Sequence, residues 1–206
     1  MDNKRNSLIL SVAIVFIFCL GIFFFVKHNN QIAEKNGNNN NPYLGSKYAK
    51  ITIVEFCEFE CGFCARLNQD ILPRLKNDFI NSNKIKYIAR NYPLIPGKGN
   101  ALKAAEAVEC AQNQNKYWEY RDILFENRTS LENTDLKKYA QELNLDKTEF
   151  DQCLDSNETI DRVNQDISAG KDLSVNGTPT LFINGKEYKG VGAYEDLKKE
   201  IDEALK

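Results

Sequence analysis

The chain has 206 residues and a formal net charge of −2, with 27 basic side chains against 29 acidic ones. That balance offers no basic field for nucleic acid and no block of like charge. Its single histidine, His28, precedes the stretch that can fold, which excludes a Cys–His hydrolase and a histidine-bearing zinc site from the folded domain.

The first element is apolar. Lys4 and Arg5 precede residues 8–26, a run that as a helix spans ~28 Å, close to the ~30 Å hydrocarbon core of a bilayer. Residues 1–28 therefore read as one transmembrane helix, an uncleaved signal-anchor, with the amino terminus in the cytoplasm and the remainder outside a cell membrane crossed once. Cleavage is the competing reading, but Phe23-Phe-Phe-Val-Lys-His28 lacks a small-x-small site. Cys19 follows Phe18 where lipidation wants a small residue, so it reads as one more apolar membrane residue. Residues 29–46, rich in Asn and broken by Gly37, Pro42 and Gly45, read as a linker to one domain over 47–206.

Ile51 to Phe56 is β-branched and aromatic and predicts a buried strand. Phe63, Leu67, Ile71 and Leu72 recur at helical spacing, which predicts a helix from Gly62 towards Asn81, kinked at Pro73. Lys84 to Arg90 predicts a second strand, and Asn91 to Gly97 breaks regular structure. From about 98 to 172 the pattern is helical almost throughout, with aromatic positions that read as core. Thr180 to Ile183, Asn184-Gly185 and Lys186 to Lys189 predict a hairpin, followed by an amphipathic helix carrying Leu197, Ile201 and Leu205. The order describes an α/β domain with helices inserted in its middle.

Cys61 falls where the first strand turns into the helix, and Cys64 one turn further on. Unpaired N–H groups and the helix dipole favour a thiolate at Cys61, the attacking species in disulfide exchange. Cys64 lies on the same face, less exposed and suited to resolving a mixed disulfide. With Cys57 the stretch reads Cys57-x3-Cys61-x2-Cys64, the spacing of a radical-type iron–sulfur site. The domain is too short for the barrel which that chemistry uses. Cys57 reads instead as a buried strand-end residue, with a regulatory disulfide to Cys61 as a minor alternative.

Several motifs occur together in order. Leu44-Gly45, Ile53-Val-Glu-Phe56 and Cys61-x-x-Cys64 open the domain, and Gly177-Thr-Pro-Thr-Leu-Phe-Ile-Asn-Gly185 closes it. Between them stand Ala104-Ala105, Cys110-Ala111, Lys116-Tyr-Trp-Glu119 and Cys153-Leu-Asp-Ser156. Over roughly 42–205 the chain resembles the DsbA-like thiol:disulfide oxidoreductases. The resemblance implies a thioredoxin-like fold with an inserted helical subdomain. It implies Cys61 as exposed nucleophile, Cys64 as buried partner, and Pro179 as the cis-proline facing them. Thr178 would pair its backbone with a bound peptide, and Gly62 and Phe63 would complete the substrate surface. It implies Glu55 as a proton acceptor beneath the cysteines, the alternative being a solvated edge carboxylate. Cys110 and Cys153 resemble a second, non-catalytic disulfide, against two buried free thiols.

The implied activity is disulfide formation in exported, folding proteins with cysteines, without metal or cofactor. Reoxidation would come from a quinone-linked membrane partner, DsbB- or VKOR-like. A reductase or isomerase on the same fold, or a non-enzymatic cysteine-based metal-binding or interaction module, are the alternatives. Gly62 stands where the family usually has proline, and Phe63 where strongly oxidising members have histidine. With Glu58 and Glu60 nearby, these departures predict a less acidic Cys61 and a milder oxidant.

Overall fold

Seven consecutive buried residues, Ile51–Cys57, form the strand on which the domain is built. Burial on both faces explains why the stretch is near-continuously apolar rather than alternating. The computed structural model describes residues 41–94, 99–188 and 192–206. The expected membrane anchor and most of the expected linker lie outside them. Among the described residues no helix is long and apolar enough to cross a membrane.

The sheet has five strands in the order β1-β3-β2-β4-β5. They are β1 (Tyr43–Gly45), β2 (Ile51–Cys57), β3 (Ile85–Asn91), β4 (Thr180–Ile183) and β5 (Lys186–Tyr188). Only β2 and β3 run parallel, joined by a helical crossover; the other neighbours are antiparallel. The thioredoxin-like α/β fold with a helical insertion is therefore present.

Two local features differ from the sequence reading. Residues 43–45, expected to end the linker, form an edge strand paired with β3 in the register Tyr43↔Ile88 to Gly45↔Lys86. Gly45 permits it: φ is +85°, and a Cβ there would fall 2.2 Å from the Ile85 carbonyl oxygen. The helix after Gly62 is not simply kinked at Pro73. It alternates α1 (Gly62–Arg66), a π segment (Leu67–Ile71), α2 (Leu72–Leu75) and a second π segment (Lys76–Ile80). Pro73 sits in the first turn of α2, and the wider π register before it accommodates the missing N–H.

At the other end, the Asn184-Gly185 turn has positive φ at both residues, 48° and 80°, as a tight hairpin requires. Asn184 also clasps β2: its side chain accepts from Thr52 N–H at 2.8 Å, and its own N–H donates to the Thr52 carbonyl at 2.9 Å.

The insertion comprises α3 (Ala101–Asn113), α4 (Tyr117–Glu126), α5 (Asn133–Glu142), α6 (Lys147–Asp155) and α7 (Ile160–Asp172). The closing helix is α8 (Tyr194–Leu205). Cys110 on α3 and Cys153 on α6 are joined in a disulfide, with Cα atoms 5.9 Å apart and a sequence separation of 43. In the chain-entropy account a loop of that size is worth about 4 kcal/mol.

The insertion meets the sheet through buried polar groups at the end of β3. Asp166 on α7 accepts from the Asn91 N–H at 2.9 Å and from Arg90 at 3.2 Å. Glu109 on α3 accepts from the Asn91 amide at 2.8 Å and pairs with Arg162 at 3.3 Å. Burial, with the nearby Asp166 charge, pushes Glu109 up to about 8 despite Arg162. Burial likewise pushes Asp166 up to about 6 against Arg90 and the Asn91 N–H. Both folded values lie above the ordinary carboxylate range, so the folded chain holds protons that the unfolded chain releases. Their contribution is complete at low pH and is lost as pH rises through about 6 and about 8. The urea midpoint is expected to fall between pH 5 and 9, and Glu109→Gln to flatten the upper part of that fall. A midpoint that stays level in the parent chain would contradict this account.

Candidate active site

β2 ends at Cys57, and a short loop brings the chain to Cys61, whose extended backbone (φ −76°, ψ 119°) ends where α1 begins. The Cys61 carbonyl accepts the first helical bond, from Ala65 N–H at 3.1 Å. Its side chain is half-buried, whereas Cys64 is fully buried and Cys57 nearly so. Opposite Cys61 stands the loop before β4, where the Thr178–Pro179 peptide bond is cis. The Cys61 thiol donates to the Thr178 carbonyl at 3.2 Å.

The Cys61 thiol is pulled down to about 5. The largest cause is a hydrogen bond from the Cys64 thiol, which outweighs partial burial; Thr178 and the N–H groups of Cys64 and Phe63 add to it. Glu58 and Glu60, expected to oppose the thiolate, do not outweigh these bonds. Glu58 accepts from Leu94 N–H at 3.1 Å, and Glu60 from Asn100 N–H at 2.9 Å. Cys64 is pushed far above the thiol range by burial, with the neighbouring Cys57 and Cys61 adding to it. A low-lying thiolate and a buried thiol that resists ionisation thus stand one turn apart.

The Thr178 hydroxyl is buried and has no hydrogen-bond partner while Cys61 is a thiol. Beside the sulfur it is the donor placed to meet the thiolate once the proton leaves. Thr178→Val keeps the carbonyl contact and removes that donor. It is expected to raise the midpoint of Cys61 alkylation by about half a pH unit to one, read from the pH dependence of iodoacetamide labelling. An unmoved midpoint would remove the hydroxyl from the site.

Two residues after Cys61, Phe63 is 64% exposed; Leu94, whose N–H meets Glu58, is also exposed, and a Cβ on Gly177 would meet nothing within 4 Å. At Gly62 a Cβ would touch only the Arg128 guanidinium carbon at 3.9 Å, so space does not demand glycine there.

Glu55 is neither an edge carboxylate nor a free base. It is fully buried and accepts from Arg121 at 2.7 and 2.8 Å and from the Tyr87 hydroxyl at 2.7 Å. Arg121 in turn donates through Nε to Asn68 at 2.9 Å, and Asn68 donates to Asp122 at 2.7 Å. Burial opposes the Arg121 charge, but Glu55 and its neighbours hold the guanidinium well above its ordinary value. Sequence reasoning missed Arg121. The available signal was a cation on the helix face shared by Tyr117 and Leu124, four residues before it and three after.

A buried strand turning into a helix at Cys-x-x-Cys, faced by a cis-proline loop, defines a thioredoxin-fold dithiol protein. Comparison with known proteins agrees. The chain belongs to the thioredoxin family, whose model, described as Thioredoxin, matches residues 37–203, and within it to the DsbA-like thiol:disulfide oxidoreductases. Disulfide bond formation protein D of Bacillus subtilis is 26% identical over 194 residues, covering 86% of this chain and 83% of that protein. The Na(+)/H(+) antiporter NhaA 3 of Salinispora tropica is 33% identical over 161 residues, 78% of this chain, but the chain spans only 24% of that relative's length. Among solved structures, oxidised BdbD from Bacillus subtilis superposes with a TM-score of 0.74 at 26% identity, covering 81% of this chain and 94% of that one. The alpha-DsbA1 of Wolbachia pipientis gives 0.72 at 25% identity, covering 82% and 92%.

Proposed function

We propose that this oxidoreductase forms disulfide bonds in exported proteins, held by its N-terminal segment to the outer side of the cell membrane. The observation that carries the reading is the Cys61 thiol at about 5 beside a Cys64 that resists ionisation. A stabilised Cys61 thiolate stabilises the reduced pair, and a pair whose reduced form is favoured is an oxidant.

Catalysis starts from the Cys61–Cys64 disulfide. A substrate thiolate attacks the Cys61 sulfur, a mixed disulfide forms, and the electron pair leaves on Cys64, which takes up a proton. A second substrate thiolate attacks the substrate sulfur of that mixed disulfide and expels Cys61 as thiolate. The substrate has lost two electrons and the pair has gained them. Thr178 and Pro179 hold the extended substrate against Cys61, with Phe63 and Gly62 at its side. Glu55, the buried carboxylate two residues before Cys57 on β2, serves as proton acceptor beneath the cysteines when Cys64 must act. Reoxidation falls to a quinone-linked membrane partner, DsbB- or VKOR-like, and no cofactor or metal takes part.

Equilibration of the chain with glutathione tests the direction. A potential near ~−120 to −180 mV places the pair with oxidases and isomerases, whereas one near ~−270 mV makes it a reductase.

A further inference from the structure

The side chain that lies against Gly62, between the active-site sulfur and Phe63, comes from the helical insertion. A Cβ on Gly62 would stand 3.9 Å from the Arg128 guanidinium carbon and meet nothing else within 4 Å. Consecutive Cα atoms are ~3.8 Å apart, which puts that carbon within about 9 Å of the Cys61 Cα. Arg128 sits in the turn that leaves α4, and the turn is held at both ends. The Asn127 side-chain amide donates to the Ile123 carbonyl at 2.9 Å, and Ser130 N–H donates to the Asn127 carbonyl at 2.8 Å.

The charge of Arg128 is uncommitted. The residue is exposed and, among the described residues, makes no hydrogen bond or ion pair. Glu58 and Glu60 are taken by the N–H groups of Leu94 and Asn100, and Glu132 accepts from the Asn100 amide at 2.9 Å. Nor is Arg128 among the groups that chiefly pull the Cys61 thiol down, which are Cys64, Thr178 and the N–H groups of Cys64 and Phe63. A guanidinium is a planar fork of donors that fits a carboxylate and cannot lose its proton. Beside a reactive sulfur, its natural partner is an anion on the incoming chain.

We propose that Arg128 makes the site selective for polypeptides that carry Asp or Glu close to the reacting cysteine. This deepens the oxidase reading and rests on it. An extended peptide advances ~3.3 Å per residue, so the carboxylates in reach are those one to three residues from the substrate sulfur. Gly62 puts no side chain of its own between the guanidinium and that peptide. The pair forms in water, where it is weak at equilibrium, so its effect falls on encounter and orientation and is screened by salt. Phe63, exposed on the next residue, offers the same peptide an apolar contact.

The test uses the full-length oxidised chain and three dithiol peptides that differ only in the residues on either side of the first cysteine: glutamate, glutamine or lysine. Second-order rates of peptide oxidation are measured at low salt for the parent, Arg128→Gln and Arg128→Glu. Each peptide's own thiol acidity is the same whichever protein it meets, so the ratio of glutamate to lysine rates is compared between proteins. That ratio is expected to fall about threefold in Arg128→Gln and about tenfold or more in Arg128→Glu. The lysine peptide should react faster with Arg128→Glu than with the parent, a gain that damage to the fold does not produce. In about 1 M salt the three ratios should converge. Ratios that agree within about twofold at low salt, or a difference that salt leaves intact, overturn the proposal. A parent chain that oxidises none of the three peptides would sink the oxidase reading, and this selectivity with it.

Discussion

Replacing Cys61 by serine is expected to abolish disulfide transfer to a reduced substrate, by a factor on the order of 10³ or more. The fold should barely register the change. Cys61 is only half-buried, and its contact with the Thr178 carbonyl is one that a serine hydroxyl can also make. A shift within about 0.5 kcal/mol is the expectation for such a substitution. The reason for the large kinetic effect is that Cys61 alone combines access with a stabilised thiolate. Cys64 has no exposed surface and its thiol resists ionisation. Cys64→Ser also loses the active disulfide but keeps the Cys61 thiolate, which should attack a peptide disulfide, expel one of its sulfurs as thiolate and accumulate as a mixed disulfide that no neighbouring thiol resolves. Oxidation of a dithiol peptide beside urea denaturation checks the first variant, and mass spectrometry after incubation with a disulfide-bonded peptide checks the second. Retention of more than a tenth of the parent rate in Cys61→Ser would move the chemistry off this sulfur.

Arg121→Met is expected to cost about 3–5 kcal/mol, the range for removing one partner of a buried ion pair. Arg121 is 1% exposed and Glu55 is wholly buried, so no water is at hand to replace the guanidinium. Its loss strands the Glu55 carboxylate and also leaves the Asn68 carbonyl unpaired. Removing both charges, as Arg121→Met with Glu55→Leu, should recover much of the loss, because the desolvation cost of each ion disappears with it. The double-mutant cycle in urea checks the account. A loss below about 1 kcal/mol in Arg121→Met would mean that the pair is not held as the structure places it.

What could be read in the sequence was local. The strand, turn and helix round Cys61 were legible because hydrophobic period and a three-residue cysteine spacing act over one turn of chain. The Asn184-Gly185 hairpin was legible because its two positive φ angles need those residue types. The family motifs carried the fold further than periodicity could. The rest depended on partners distant in sequence. Arg121 meets Glu55 across 66 residues, and nothing near either residue announces the other. Glu58 and Glu60 stand beside Cys61 in sequence, but the N–H groups their carboxylates meet, those of Leu94 and Asn100, lie 36 and 40 residues on. The β1 strand was missed because three residues at an edge carry too little pattern. The apolar run 8–26 was plain in the sequence and lies outside the described residues.

Arg121 belongs to the insertion, whereas Glu55 belongs to the central strand. The insertion is thus no detachable cassette. A chimera that grafts the helical block of a relative onto this sheet inherits an anion in its deepest layer, and must supply a guanidinium at the matching turn or remove the carboxylate with it. Two surfaces that look exchangeable on a topology diagram can therefore be recombined only as a matched set.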